Sequence, residues 1–286
     1  MVFVEYPVDG APWSRNSRFW AAYDGSTVTL PEIIVDSGHQ YSWGGRDFYN
    51  VYRGMVDAEL ARPPQAAVAG LWWREGDRVQ FYTRLTNLTG VTLYWPWIHA
   101  VVYEDTPVGL TDRYARAAVS EYVYDGLAPG ATAELSLVTA DLVGVNWDKL
   151  HFLVLADYQP AGTGPYDMLQ AAVALPATLD ATPATYNFLV DASGPADQSF
   201  PVHFDGPDWL TWSATTDVPW LDVTPASGSI AAPPTVSVRA GMLGSGWQEG
   251  HVNFTTAGGG PVLSDQILVR SYLGPLAHGY LPLIRR

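Results

Sequence analysis

The sequence predicts a mainly β protein in which two antiparallel β-sandwich domains follow a small N-terminal α/β segment. Three observations lead there. From Gln65 to Leu175, and again from Thr185 onward, short runs alternate apolar and polar residues, as Leu210, Trp212 and Ala214 do against Thr211, Ser213 and Thr215. That period of two belongs to strands with one face buried. Glycine and proline, 27 and 22 of the 286 residues, punctuate those runs, so the chain reverses often. A convincing helical period is confined to residues 1–62, where Phe48, Val51, Tyr52, Met55, Val56 and Leu60 fall on one face.

Composition bounds what such a chain can do. Its 286 residues suffice for two or three domains, each with its own core. With 48% hydrophobic residues and 12 tryptophans it is globular rather than disordered. A formal charge of -14 repels nucleic acid and anionic lipid, because phosphate binding needs clustered Lys and Arg. The absence of cysteine removes disulfides, thiolate nucleophiles and zinc–cysteine sites. The opening MVFVEYP reaches Glu5 too early for a secretion leader and reads as a strand, and no apolar run has the length of a membrane span.

In residues 1–62, Val2 to Pro7 is expected to be a strand, Ser14 to Tyr23 a short helix with Phe19, Ala22 and Tyr23 on one side, and Thr27 to Val35 a second strand containing Pro31. A helix from Asp47 to Leu60 follows and stops before Pro63-Pro64. The run G-S-T-V-x-L-P-x-x-x-V-D-S-G, with E-Y-x-x-D before it and the helix after it, resembles the second half of a thioredoxin-like domain. The resemblance implies that Pro31 takes that family's cis-proline position. The first half, which bears the C-x-x-C helix, has no counterpart, so redox chemistry does not transfer. Such a half-domain would leave strand edges and apolar faces uncovered. It is therefore expected to dock on its neighbour or to belong to a gene whose start was trimmed.

Residues 63–176 are predicted to form the first sandwich. Its strands are Ala67–Arg74, Arg78–Asn87, Ile98–Glu104, Ala118–Tyr124, Ala133–Leu137, Leu150–Asp157 and Met168–Ala174. The runs L-x-N-L-T-G-x-T-L, H-A-V-V-Y-E-D and L-A-P-G-x-T resemble immunoglobulin-like modules that follow thioredoxin-like domains in secreted bacterial proteins. Residues 177–183 have linker composition, and residues 184–274 are predicted to be the second sandwich. There Trp212, Ala214, Thr216, Asp217, Trp220, Leu221, Val223, Pro225, Ser227 and Gly228 precede Thr235, Val236, Val238, Gly250, Val252, Phe254 and Thr255. This spacing resembles the BACON modules of secreted enzymes and surface proteins, which implies carbohydrate or mucin binding. Residues 275–286 form a tail, in which HGYLPLIRR resembles the Y-L-P-L tails of secreted multidomain proteins and implies attachment or sorting.

Each candidate for chemistry has a plainer counterpart. Asp36, Ser37 and His39 are the residue types of acyl transfer, but neighbours this close rarely reach triad geometry, and a turn accounts for them. His39, His99, His151, His203, His251 and His278 show no metal-binding spacing. Glu104, Asp105 and Asp112 offer a calcium ion its oxygen ligands without the EF-hand pattern. Asn87-Leu88-Thr89 and Asn253-Phe254-Thr255 match glycosylation acceptors and read as turn and strand residues.

Aromatic rings offer more. Exposed Trp and Tyr stack on the apolar faces of pyranose rings. Trp209 and Trp247 lie beside turns, and Trp72-Trp73 and Tyr94-Trp95-Pro96-Trp97 place neighbours on opposite strand faces, so that at least one ring of each pair points away from its sheet core. Trp209, Trp247, Trp95 and Trp97 are the carbohydrate-binding candidates, with sealing of domain interfaces as the plainer role. Trp212 and Trp220, with Pro225, Gly228 and Pro31, are assigned to structure. The sequence thus predicts a non-catalytic extracellular or cell-surface bacterial protein without a cofactor, whose partners are glycans or cell-surface proteins bound through the BACON-like module. Two alternatives stand beside it: a redox protein whose C-x-x-C half lies upstream, and the accessory portion of a secreted hydrolase.

Overall fold

A computed structural model describes residues 32–43, 47–108 and 111–275. The strand expected from Val2, the helix from Ser14, Pro31 and the tail from His278 lie outside the described residues. Those up to Pro176 belong to one compact unit and those from Ala177 to a second. The architecture is mainly β, as predicted.

The first unit opens with a hairpin of β1 (Glu32–Val35) and β2 (Gln40–Trp43). Its turn, Asp36–Gly38, holds Asp36 and Ser37 at φ 58° and 60°, a left-handed region that side chains other than Asn, Asp and Gly seldom enter. Helix α1 (Phe48–Leu60) starts where the Asp47 carboxylate accepts the Asn50 N–H at 3.3 Å. Met55 is buried on it, but Phe48, Val51 and Leu60, predicted to share its packed face, are 39%, 39% and 74% exposed. The described strands that α1 packs against are those of the two-stranded hairpin, too narrow to cover the whole face.

Two four-stranded sheets follow. One runs β10 (Leu175–Pro176), β3 (Ala66–Glu75), β4 (Arg78–Asn87), β7 (Thr132–Val138); the other runs β6 (Thr111–Tyr122), β5 (Trp97–Val108), β8 (Leu150–Tyr158), β9 (Asp167–Val173). Alternation decides which side chains meet between them. Val79, Phe81 and Leu85 of β4 face Ile98, Ala100 and Val102 of β5, all at 0% exposure. Trp72 stacks on Phe152 with ring centroids 3.8 Å apart. Each large apolar side chain so buried stabilises the unit by about 1.5–3 kcal/mol. A Cβ at Gly70 would lie 2.6 Å from a Val154 methyl, so the sheets close on each other there through a glycine. Strand β6 begins at Thr111 rather than Ala118, because it extends β5 as a long hairpin that absorbs an irregularity at Val102/Tyr103.

The second unit has a five-stranded sheet, β12 (Thr185–Asp191), β20 (Ser264–Gly274), β19 (Gly246–Ala257), β15 (Thr211–Thr216), β17 (Ser227–Ser229), and a three-stranded one, β13 (Gln198–Pro201), β18 (Thr235–Val238), β16 (Leu221–Thr224). A two-stranded ribbon joins β11 (Asp180–Thr182) to β14 (His203–Asp205). That ribbon corrects the expectation of a linker at 177–183. Leu179 and Ala181 are buried at 4% and 3%, and the Asp265 carboxylate accepts the Ala181 N–H at 2.6 Å, so the stretch is part of the fold.

The spaced residues of the second unit form one packed set. Trp212 has 0% exposure, donates its indole N–H to the Ser229 carbonyl at 2.8 Å, and meets Phe204 and Phe254 at 5.3 and 5.8 Å. Gly228 is opposite Trp212 in the register, where a Cβ would lie 3.2 Å from the indole. Gly250 leaves room for Trp220 and Val218, and Trp220 is 4% exposed. Asp217 accepts the His251 backbone N–H at 2.6 Å and lies 2.8 Å from its ring Nδ1. Burial pushes the Asp217 carboxyl up, but those bonds outweigh it and hold it below the ordinary value. Pro225 follows Thr224 through a cis peptide bond.

Candidate functional site

A cleft of about 460 Å3 in the first unit is lined by Tyr94, Trp95, Trp97, Tyr122, Tyr124, Gln159, Gly162 and Tyr166. Two features of the strands place its rings. Trp97 opens β5 on the side of the strand opposite Ile98 and Ala100, and the register sets it against Tyr122 of β6, with ring centroids 4.9 Å apart. Tyr124 continues the row at 4.2 Å from Tyr122. Tyr94 and Trp95 come from the preceding loop and are 66% and 58% exposed.

That loop is held from beneath. Asn87 has 0% exposure; its amide N–H groups donate to the carbonyls of Val91 and Leu127, both at 2.8 Å, and its oxygen accepts from the N–H and hydroxyl of Thr89. This full set of bonds explains Asn87 structurally and removes it as a glycosylation acceptor in the folded chain. Leu93 and Leu127 exchange a pair of backbone hydrogen bonds at 3.0 and 2.8 Å. Just after these anchors Trp95 sits at φ 49°, a conformation costly for a bulky side chain.

On β5, His99 links three strands. Its Nδ1 lies 2.7 Å from the Ser120 hydroxyl and its Nε2 3.0 Å from an Asp157 carboxylate oxygen. His99 and Asp157 both have 0% exposure, and Trp97 lies nearly parallel to the imidazole at 6.2 Å. Hydroxyl, imidazole and carboxylate stand in the order of an acyl-transfer triad. With His99 and Asp157 fully buried, the string is a tie between β6, β5 and β8 beside Trp97. Sequence reading missed it, because the partners of His99 lie 21 and 58 residues away.

A second cluster fastens the hairpin and α1 to the sandwich. Arg62 donates to Asp36 at 2.8 Å, to Glu59 at 2.6 Å and, as a two-bond fork at 2.8 and 2.7 Å, to Asp167 of β9. His39 Nδ1 is 2.6 Å from Glu59. The segment expected to dock on its neighbour does so here. Ligand atoms of Asp36, His39 and Asp167 lie within 4.8 Å of one another, close enough for a metal ion, but Arg62 already bonds both carboxylates and a cation would have to displace it.

Three carboxylates around one guanidinium leave a surplus of negative charge, which a proton relieves. Burial, followed by a hydrogen bond donated to Glu59 and the charges of Glu59 and Asp167, pushes the Asp36 carboxyl up to about 8 against the pull of Arg62. Burial would raise Glu59 as well, but bonds from Arg62, His39 and Asp36 hold it down to about 2. Asp36 binds its proton more tightly folded than unfolded, so the stability it supplies is full below 3.8 and is lost as the pH rises through about 8. Glu59 acts oppositely: its contribution is present above 4.5 and is lost as the pH falls toward about 2. Amide exchange over β1 to α1, corrected for intrinsic rates, should therefore speed up as the pH is raised from about 5 to about 9, and Asp36→Asn should flatten that response. An unchanged profile in the variant would refute the shared proton.

The other predicted residues fall elsewhere. Trp209 is half-buried in the turn before β15, and Trp247 is 62% exposed at the start of β19 beside Tyr272, with ring centroids 5.3 Å apart. The calcium set is not brought together by its adjacent pair. Glu104 and Asp105 are neighbours on β5 and point to opposite faces; Glu104, 5% exposed, bonds Arg116 at 2.6 Å and the Asn146 N–H at 2.9 Å. Asp105 is 2.7 Å from His151, and Asp112 is exposed. Both Glu104 oxygens thus already serve an ion pair and a turn.

No protein-family model matches the chain, and no curated protein matches it. Among solved structures, a domain of the outer membrane lipoprotein Omp28 from Porphyromonas gingivalis is 10% identical with a TM-score of 0.29, covering 41% of this chain and 93% of that one. HBP35 of Porphyromonas gingivalis is 12% identical with a TM-score of 0.36, covering 88% of this chain and 80% of that one. Beta-glucosidase 3B from Thermotoga neapolitana is 14% identical with a TM-score of 0.21, covering 38% of this chain and 16% of the enzyme. Likeness at this level assigns neither family nor activity. Among the described residues, no helix is long and apolar enough to cross a membrane.

Proposed function

We propose that this chain is a non-catalytic, carbohydrate-binding protein of the bacterial cell exterior, and that its ligand face is the aromatic cleft of the first unit. The observation that carries the reading is the convergence of Trp95, Trp97, Tyr122 and Tyr124 on one open cleft. Flat rings cover the C–H faces of pyranoses, while phenol hydroxyls and the Gln159 amide exchange hydrogen bonds with sugar hydroxyls. The cysteine-free composition suits an exported chain. On this reading the second unit is a BACON-like module and the hairpin with α1 a thioredoxin-like remnant, while the binding role moves from the former to the immunoglobulin-like sandwich between them.

A glycan array tests it. The wild type should bind at least one glycan, and Trp95→Ala and Trp97→Ala should each weaken that binding about tenfold or more, equivalent to about 1.4 kcal/mol. Trp247→Ala, far along the chain in the second unit, should leave it unchanged. Silence of the wild type across the array would end the carbohydrate reading. Loss with Trp247→Ala alone would return the site to the second unit.

A further inference from the structure

The electrostatics of the cleft narrow its ligand, granted the carbohydrate reading above. We propose that it takes uncharged glycans and rejects sialylated, uronic and sulfated ones by charge. Recognition of an anionic sugar calls for a guanidinium, an ammonium or a convergent set of N–H donors. The lining offers tyrosines, tryptophans, one amide and a glycine. Arginines elsewhere in the unit are engaged: Arg62 with Asp167, Arg78 with Asp141, Arg116 with Glu104.

The charges next to the lining residues are negative. Glu121 immediately precedes Tyr122 on β6, and its carboxylate accepts the Tyr122 N–H at 3.1 Å. Asp125 follows Tyr124 and is exposed. A hydrogen bond donated to Tyr124, then burial and the charges of Tyr124 and Glu121, raise the Tyr122 phenol above its ordinary value, so it stays protonated and its oxygen can accept from a sugar hydroxyl. The Glu121 carboxylate, bonded at the Tyr122 N–H, acts well within the screening length of about 8 Å at physiological salt and sets a repulsive field at that ring. A carboxylate or sulfate entering the cleft loses water and meets this field with no cation among the described lining residues to compensate.

Titration of the chain with neutral oligosaccharides and with acidic ones (sialyllactose, oligogalacturonate, heparin fragments) tests the inference. Neutral ligands should bind with affinities that change less than about twofold between roughly 50 and 500 mM NaCl, since no counterion exchange is involved. Acidic ligands of equal length should bind at least about tenfold more weakly at low salt, and Glu121→Lys with Asp125→Lys should narrow that gap. Equal or tighter binding of an acidic glycan, weakening with salt, would overturn the charge selection and leave the carbohydrate reading standing. Binding of neither class would overturn both.

Discussion

Trp212→Ala is expected to lower the stability of the second unit by about 3–5 kcal/mol, against a total of about 5–15 kcal/mol for a domain. The indole has 0% exposure, stands against Phe204 and Phe254, and has Gly228 opposite it with no side chain to swing into a cavity. Truncation therefore leaves a hole that rigid neighbours cannot fill, and it removes one of the two N–H groups, those of the indole and of Ala232, that the Ser229 carbonyl accepts. Trp247→Ala, 62% exposed on the same sheet, should stay within about 0.5 kcal/mol. Urea denaturation followed by far-UV circular dichroism gives both numbers. A loss below about 1 kcal/mol for Trp212→Ala would show that the motif tryptophan does not hold the unit together.

Trp212 also marks what the sequence could reveal. Its place in a period-two run between turn residues is enough to assign it to the core, and strand β4 falls at Arg78–Asn87 as predicted, because alternation records which face each side chain takes. The same logic singled out Trp97, which opens β5, whereas Trp95, expected on a strand, lies in the loop before it; both line the cleft. It could not find Tyr122, Tyr124 and Gln159, which join them through strand register, nor Asn87, whose four side-chain bonds hold the loop. Pairing of distant residues leaves no periodic trace. Arg62 and Asp167 are 105 residues apart, and the linker composition of 177–183 concealed the burial of Leu179 and Ala181. Glu104 and Asp105 were grouped as ligands because they are adjacent, yet adjacency on a strand is what sends them to opposite faces.

The buried His99 string should respond asymmetrically to mutation. His99→Ala is expected to cost about 3–5 kcal/mol, because it leaves a cavity of imidazole size in a fully buried site and removes the ring that meets the Asp157 carboxylate at 3.0 Å. Asp157→Asn keeps the shape and a hydrogen-bonding group, so it should cost about 1–3 kcal/mol. A purely steric role for the pair would keep that order but bring the cost of Asp157→Asn close to zero, since the asparagine is isosteric and only the alanine leaves a cavity, of imidazole size. Loss of the imidazole also removes the surface on which Trp97 lies at 6.2 Å, so glycan binding by His99→Ala, measured where the variant remains folded, should weaken with that of Trp97→Ala rather than with the wild type. Weakened binding in Asp157→Asn at unchanged stability would mean that the carboxylate acts on the ligand itself. Unchanged binding in His99→Ala would mean that the rings of the cleft hold their places without the string.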